Sequence, residues 1–278
     1  QSSDEYLSKG LKLHDDLRAT ELIRTAFTPH APYSVSDESL KRIAMYADEL
    51  DIPISMHVHE TAHEVSESEQ QTGKRPLSRL QELGLLSPRL NAVHMTHLTD
   101  DEISLIAESG VSVIHCPESN LKLASGFCPV QILLDTGINV ALGTDGAASN
   151  NDLDMMAEMR TAALLAKGVS NDATAVSAYT ALRMATINGA MALGLENETG
   201  SLEKGKSADI TAINLGTLES EPVYDPVSQI VYSAGREQVT HVWVAGQLLL
   251  ADRHLKTLDE NDLLKLARDW RDKIAADD

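Results

Sequence analysis

The sequence predicts an α/β protein: five βα units forming the C-terminal part of a (β/α)8 TIM-type barrel, followed by a short β-rich segment and a closing helix. Three observations carry this prediction. From about Leu22 to Asp145, short β-type runs alternate with helical runs, which implies parallel strands joined by crossover helices. The runs are apolar on both faces, as in Val111-Ser112-Val113-Ile114 and Ile138-Asn139-Val140-Ala141-Leu142, which is the pattern of strands covered on both sides. After Asp145 the alternation stops, giving way to two long helical runs and then to short β-like segments. A barrel of this kind needs eight units. The other three would have to come from sequence before Gln1, so the chain is expected to be the C-terminal portion of a longer protein.

The elements follow in order. The first strand is expected over Ile23 to Thr28, ended by Pro29-His30-Ala31-Pro32. Ser36 then caps a helix with Asp37 and Glu38 in its first turn, and Leu40, Ile43, Ala44 and Ala47 recur on one face. Ile52 to His57 reads as the second strand, with Pro53 at its start, where a missing N–H is tolerated. Ala92, Val93 and His94 end the third, and Thr99-Asp100-Asp101-Glu102 opens the next helix as a capping box. Val111 to Cys116 is the fourth strand, Val130 to Thr136 a helix closed by Gly137, and Asn139 to Thr144 the fifth strand. Helices are expected over Asp152 to Lys167 and over Ala173 to Leu193. Gly200 to Leu215 turns β-like around Gly205-Lys206-Ser207, Val239 to Leu250 reads as a hairpin about Ala245-Gly246-Gln247, and Asp259 to Ala275 is a polar amphipathic helix.

Composition bounds the function. The chain has 278 residues, 42% of them hydrophobic, enough for one large domain with a small appendage. A net charge of −19 and a pI near 4.8 repel phosphate, so nucleic acid and anionic membranes are disfavoured as partners. Cys116 and Cys128 form no CxxC pattern, so no disulfide framework is expected, and a reducing, cytoplasmic location fits better. No apolar run is long enough to span a bilayer.

The chemistry lies in where polar residues fall. His30 follows the first strand, His57 and Glu60 end the second, His94 the third, His115 the fourth and Asp145 the fifth. In a parallel βα barrel all these ends share one face, where active sites are built. A neutral imidazole at the end of an apolar strand, as at His57, is a good zinc-type ligand. Glu60, in the following loop, could shuttle protons over the same site. In Leu142-Gly143-Thr144-Asp145-Gly146, Asp-Gly would ordinarily signal a hairpin, but a helical run follows rather than a partner strand. A carboxylate placed there can bind a metal and accept a proton from water. His94 reads equally as a donor to the site and as a hydrogen-bonded core residue. His97 reads as structural, and His59 and His63 as solvated members of an exposed loop. The segment from His115 to Leu123 either touches substrate or shapes a turn.

At these residues the sequence resembles the amidohydrolase superfamily, in particular its 5′-methylthioadenosine/S-adenosylhomocysteine deaminases, with triazine hydrolases and guanine deaminases as relatives. The resemblance rests on Thr28-Pro29-His30-Ala31-Pro32-Tyr33-Ser34, His57-x-x-Glu60-Thr61, His94-Met95-Thr96-His97-Leu98, the run from His115-Cys116-Pro117 to Leu123, and Leu142 to Asn151. It continues through Gly200-Ser201-Leu202-Glu203 to Ala208-Asp209, where that family re-enters a β-sandwich. The resemblance implies a metal-dependent hydrolase barrel over 1–198, part of a small composite β-sandwich over 199–255 and a C-terminal helix over 256–278. It implies one divalent metal ion, Zn2+ first among candidates, held by His57 and Asp145. Glu60, His94 and Asp145 would be catalytic, and His30 would join them in contacting an adenine-type nucleoside near its ribose. The family's His-x-His pair on the first barrel strand has no counterpart here, since the single His-x-His is His57-Val58-His59. The chain alone is therefore expected to bind metal poorly and to pair with a second copy or with the missing N-terminal segment. Three rival readings stand beside deamination of adenosines: guanine deamination or triazine dechlorination on the same frame, an inactive or partner-binding fragment, and an unrelated open α/β binding domain.

Overall fold

The computed structural model describes residues 2–277, which fall into two units divided between Glu196 and Asn197. In the first unit a parallel sheet runs in the order β1 (Ile54–Val58), β2 (Leu90–His94), β3 (Ser112–His115), β4 (Val140–Leu142). Sequence order equals spatial order, and at least one helix intervenes between each pair: α3 (Ala62–Thr72) and α4 (Pro76–Glu82), then α5 (Asp100–Ser109), then α6 (Pro117–Lys122) and α7 (Val130–Asp135). Ile54, Met56, Leu90, Ala92, Val113 and Val140 are at most 2% exposed, as strands covered on both faces require.

The helix signals act as read. Ser36 caps α2 (Asp37–Leu50) by accepting from the Ser39 N–H at 3.3 Å, and Leu40, Ile43 and Ala47 are its buried face. Thr99 and Glu102 form the reciprocal capping box of α5, which stops at Gly110 in the left-handed region. Asp154 caps α8 (Met155–Ser170) through the Met156 N–H.

Two expectations need correction, and one helix was not foreseen. The strand over Ile23 to Thr28 shrinks to a single parallel bridge, Phe27 to Ile54, and Leu22 and Ile23 are exposed. Four strands, not five, therefore make the sheet, although Ser55 still donates to the Phe27 carbonyl at 2.9 Å and His57 to the His30 carbonyl at 3.0 Å. The helix expected over Ala173 to Leu193 is two, α9 (Ala178–Met184) and α10 (Ile187–Ala192), parted at Thr186, whose φ of −130° is not helical. A first helix, α1 (Ser3–Leu17), went unpredicted although Ser2 caps it through the Glu5 N–H.

The second unit holds an antiparallel sheet, β5 (Ile210–Ile213), β6 (Val239–Val244), β7 (Gln247–Ala251) and β8 (His254–Leu255), with α11 (Pro226–Tyr232) and α12 (Glu260–Asp277). The β6–β7 turn is Ala245-Gly246, both at positive φ, as a tight two-residue hairpin demands. Both cysteines are free and buried, and among the described residues no helix is long and apolar enough to cross a membrane.

Candidate active site

Parallel register brings every strand's C-terminal end to one edge of the sheet. Val58 lies beside His94, Val93 beside Ile114, and His115 beside Leu142. Side chains alternate faces along a strand, so His57, level with Val93, and His94, level with Val58, start on opposite faces. The backbone undoes that alternation: His94 and Met95 have φ of +78° and +51°. This left-handed corner swings the His94 ring back, and its Nε2 meets His57 Nδ1 at 3.0 Å. His30 continues the row, its ring centroid 5.3 Å from that of His57, which in turn lies 4.8 Å from that of His94.

A second left-handed corner, His59 at φ +53°, turns the chain so that Glu60 folds over the two imidazoles. Its Oε2 is 4.0 Å from His57 Nδ1 and 3.9 Å from His94 Nε2, while Oε1 accepts from Ser125 Oγ at 3.3 Å. Glu64, buried in the first turn of α3, fixes this corner by accepting the N–H groups of His59 at 3.1 Å and Glu60 at 2.7 Å. Thr96 Oγ1 donates to the carbonyls of the same two residues. Donor atoms of His57, Glu60 and His94 all lie within 4.8 Å of one another, a grouping able to hold a metal ion.

Asp145, three residues past β4, also has a left-handed φ of +59°. Gly143 allows the strand to end there, since a Cβ would sit 3.0 Å from Ile114 Cγ2 and 3.2 Å from Cys116 Sγ. One carboxylate oxygen, Oδ2, accepts from Ser119 Oγ at 2.7 Å and Ser149 Oγ at 2.5 Å. Asp145 lies outside the three-residue grouping, yet its charge reaches both imidazoles.

The electrostatics sort the groups. The Glu60 carboxylate beside His57 raises that imidazole's pKa against its burial, with Asp145 adding to the rise, and His57 in turn holds Glu60 below the usual carboxylate range. Burial lowers His94, whose Nδ1 faces Asn120 Oδ1 at 2.8 Å. An amide oxygen only accepts, so Nδ1 carries the proton and the Nε2 lone pair points into the site. Burial would raise Asp145, but the Ser149 and Ser119 hydroxyls outweigh it and keep the carboxyl low.

The remaining expected residues separate. His30 is exposed, its Nδ1 3.2 Å from Ser34 Oγ. His63 is exposed as expected, and His97 is structural, its Nε2 donating to the Ser125 carbonyl at 2.7 Å. His59 is not solvated: it is fully buried, accepts the Leu77 N–H at Nε2 and donates from Nδ1 to the His97 carbonyl at 2.9 Å, so it caps α4. Its partners come from 18 and 38 residues away, which a local reading cannot see. His115 is buried with no hydrogen-bond partner at Nδ1. Glu64, Asn120 and Ser149 were missed as site supports. Thr61-Ala62-His63-Glu64 is a capping-box pattern that would have flagged Glu64.

Comparison with known proteins agrees with this geometry. The amidohydrolase family model matches residues 5–249. The 5-methylthioadenosine/S-adenosylhomocysteine deaminase of Teredinibacter turnerae is 54% identical over 276 residues, covering 99% of this chain and 62% of that protein. A crystal structure of an adenosine deaminase from Xanthomonas campestris with bound zinc superposes with a TM-score of 0.98 at 55% identity, covering 99% of this chain and 63% of that one. An atrazine chlorohydrolase from Arthrobacter aurescens complexed with zinc superposes with a TM-score of 0.90 at 27% identity, over 95% of this chain and 59% of that one. The chain thus spans about three fifths of the length of such relatives. Histidines and carboxylates gathered at the ends of parallel strands, and a family match running through nearly all of the sequence, lead to one assignment: the chain belongs to the amidohydrolase family.

Proposed function

We propose that the protein is a zinc-dependent hydrolytic deaminase that converts 5′-methylthioadenosine or S-adenosylhomocysteine to the inosine-type product and ammonia. The observation that carries this reading is the meeting of His57, Glu60 and His94 beside Asp145 at one edge of a parallel sheet, in a chain 54% identical to a deaminase of that name. We read the sheet as part of a (β/α)8 barrel over 1–198, the strands over 199–255 as part of a β-sandwich, and 256–278 as a terminal helix. Four parallel strands in sequential order support the barrel.

The donor set fits a divalent cation. Two imidazole nitrogens only 3.0 Å apart, with a carboxylate oxygen beyond them, concentrate lone pairs that a cation would satisfy together. Of the groups at this edge, His57 and Asp145, whose charge reaches both imidazoles, would hold the ion, with His94 and Glu60 turned to the water and the ring. When bound, zinc supplies a Lewis acid that acidifies water near neutral pH. Asp145, kept ionised by its two serines, accepts the proton of the attacking water. His94, with Nδ1–H committed to Asn120, turns its Nε2 lone pair to the water and accepts a hydrogen bond from it. Glu60, ionised at rest, relays the water proton from Asp145 to the ring nitrogen and then carries the hydroxyl proton of the tetrahedral adduct to the departing amine, so that water and the C6 amine become a C6 carbonyl and ammonia. Positioned proton transfer of this kind contributes ~10²–10⁴-fold. His30, exposed beside His57, meets the ribose.

The test is ammonia release by protein made from its complete gene, with zinc content measured in parallel. The two adenosines, guanine and a chlorotriazine are offered separately. Faster turnover of the adenosines is the expected result, and turnover of guanine or the triazine alone rejects the reading.

A further inference from the structure

We infer that Glu158 is a positioning residue that sets the Asp145 carboxylate through two serines. The inference rests on reading Asp145 as a carboxylate of the site. Glu158 stands in the first turn of α8 and is fully buried. Its Oε2 accepts the Glu118 N–H at 3.2 Å, and its Oε1 accepts from Asn150 Nδ2. Glu118 immediately precedes Ser119, and Asn150 immediately follows Ser149. These are the two serines whose hydroxyls donate to Asp145 Oδ2. One carboxyl group thus ties together the two segments that hold the Asp145 carboxylate.

The clamp is reinforced from both sides. Thr161, one turn along α8, donates to Glu118 Oε1 at 3.0 Å. Asn150 Oδ1 accepts the Leu153 N–H at 3.3 Å, so its amide is fixed at both ends. The same short helix, α6, carries Asn120, which orients His94. An apolar residue at 158 would fill the space yet leave the Glu118 N–H and the Asn150 amide without their acceptor. Burial pushes the Glu158 carboxyl up to about 8, with the charges of Glu118 and Asp152 adding to the rise. A carboxyl held in so unfavourable a place is consistent with a task that an apolar side chain could not perform.

The experiment compares wild type, E158Q and N150A, each made from the complete gene. Glutamine keeps one acceptor oxygen and turns an amide donor towards the other N–H or N–H2 group, so one arm of the clamp is lost. E158Q is expected to weaken zinc binding ~10–100-fold in competition with a chromophoric chelator. Its kcat falls by a similar factor while KM stays within about twofold, because Glu158 lies behind the site. A crystal structure of E158Q is expected to have Asp145 Oδ2 parted from at least one serine. N150A, which keeps Glu158, gives a smaller loss of the same kind, and E158Q/N150A is no worse than E158Q, as two steps of one path require. Both serine bonds intact in E158Q, or unchanged zinc affinity and kcat, overturns the inference. If E158Q does not fold, N150A carries the same readouts. Wild type that neither binds zinc nor releases ammonia refutes the deaminase reading instead, and the Asp145 rotamer still decides the role of Glu158.

Discussion

Replacing His115 with asparagine will flatten the acid limb of this protein's stability profile. His115 ends β3, is 1% exposed and has a buried Nδ1 with no partner, so a proton on that nitrogen has no acceptor to face. Burial pushes its pKa down to about 3, whereas an unfolded histidine titrates near ~6.5. The folded value lies below the unfolded one, so the unfolded chain binds the extra proton between those limits. The stabilising contribution is complete above about pH 6.5 and is lost as pH falls from there towards about 3. Each pH unit within that window is worth about 1.4 kcal/mol, so going from about pH 7.5 to about pH 5 removes roughly 2 kcal/mol. Urea unfolding followed by circular dichroism across that range, on wild type and H115N, isolates this share. His59, also lowered by burial, remains in both proteins and cancels. H115N carries a uniform offset from its altered packing, but its stability will fall by about 2 kcal/mol less than that of wild type over the interval. Parallel curves for the two proteins would refute the reasoning.

Three further outcomes are expected of protein made from the complete gene. E60Q, which keeps the shape of Glu60 but cannot titrate, lowers ammonia release ~10²–10⁴-fold with zinc content unchanged by metal analysis; loss of zinc would make Glu60 a ligand instead. R75A strands Glu102, which is buried and takes two hydrogen bonds from the Arg75 guanidinium, and thermal unfolding will register a loss of about 3 kcal/mol, partly restored in R75M/E102Q. Stripping the metal with a chelator lowers the unfolding midpoint, by about 4 kcal/mol of stability where free zinc had stood at ~1,000 times its Kd, and added zinc restores it.

Much of this architecture was legible because its signals are local. Apolar runs marked β1, β3 and β4 to within two residues and the end of β2, and Ser36, Thr99 and Asp145 announced their helix starts and strand end without help from tertiary structure. What escaped depends on distant partners or on backbone sign. Ile23 to Thr28 has a strand's composition, but composition does not say whether a neighbour pairs along its length, and here only Phe27 forms a bridge. His59 and His63 look alike in sequence. One is sealed beneath α4 and the other lies in solvent, because only His59 meets the Leu77 N–H and the His97 carbonyl. The pairing of His57 with His94 contradicts strict strand alternation, and only the positive φ of His94 permits it. Glu158 looked like one more acid on a helix until the fold placed it behind two loops.

The left-handed corners at His59, His94, Met95 and Asp145 carry a consequence for how such a protein drifts over generations. Each is a non-glycine residue in a region that costs it about 1 kcal/mol or more, and four of them crowd one rim. A lineage released from selection for activity could relax them to glycine or asparagine and gain stability, so these positions record ongoing use more sensitively than the core does. Where selection persists, stabilising substitutions must accumulate elsewhere, in helix caps and packed faces, before the rim can tolerate new chemistry. An engineer wishing to redirect this site would do well to reinforce α5 and α8 first and to alter the corners last.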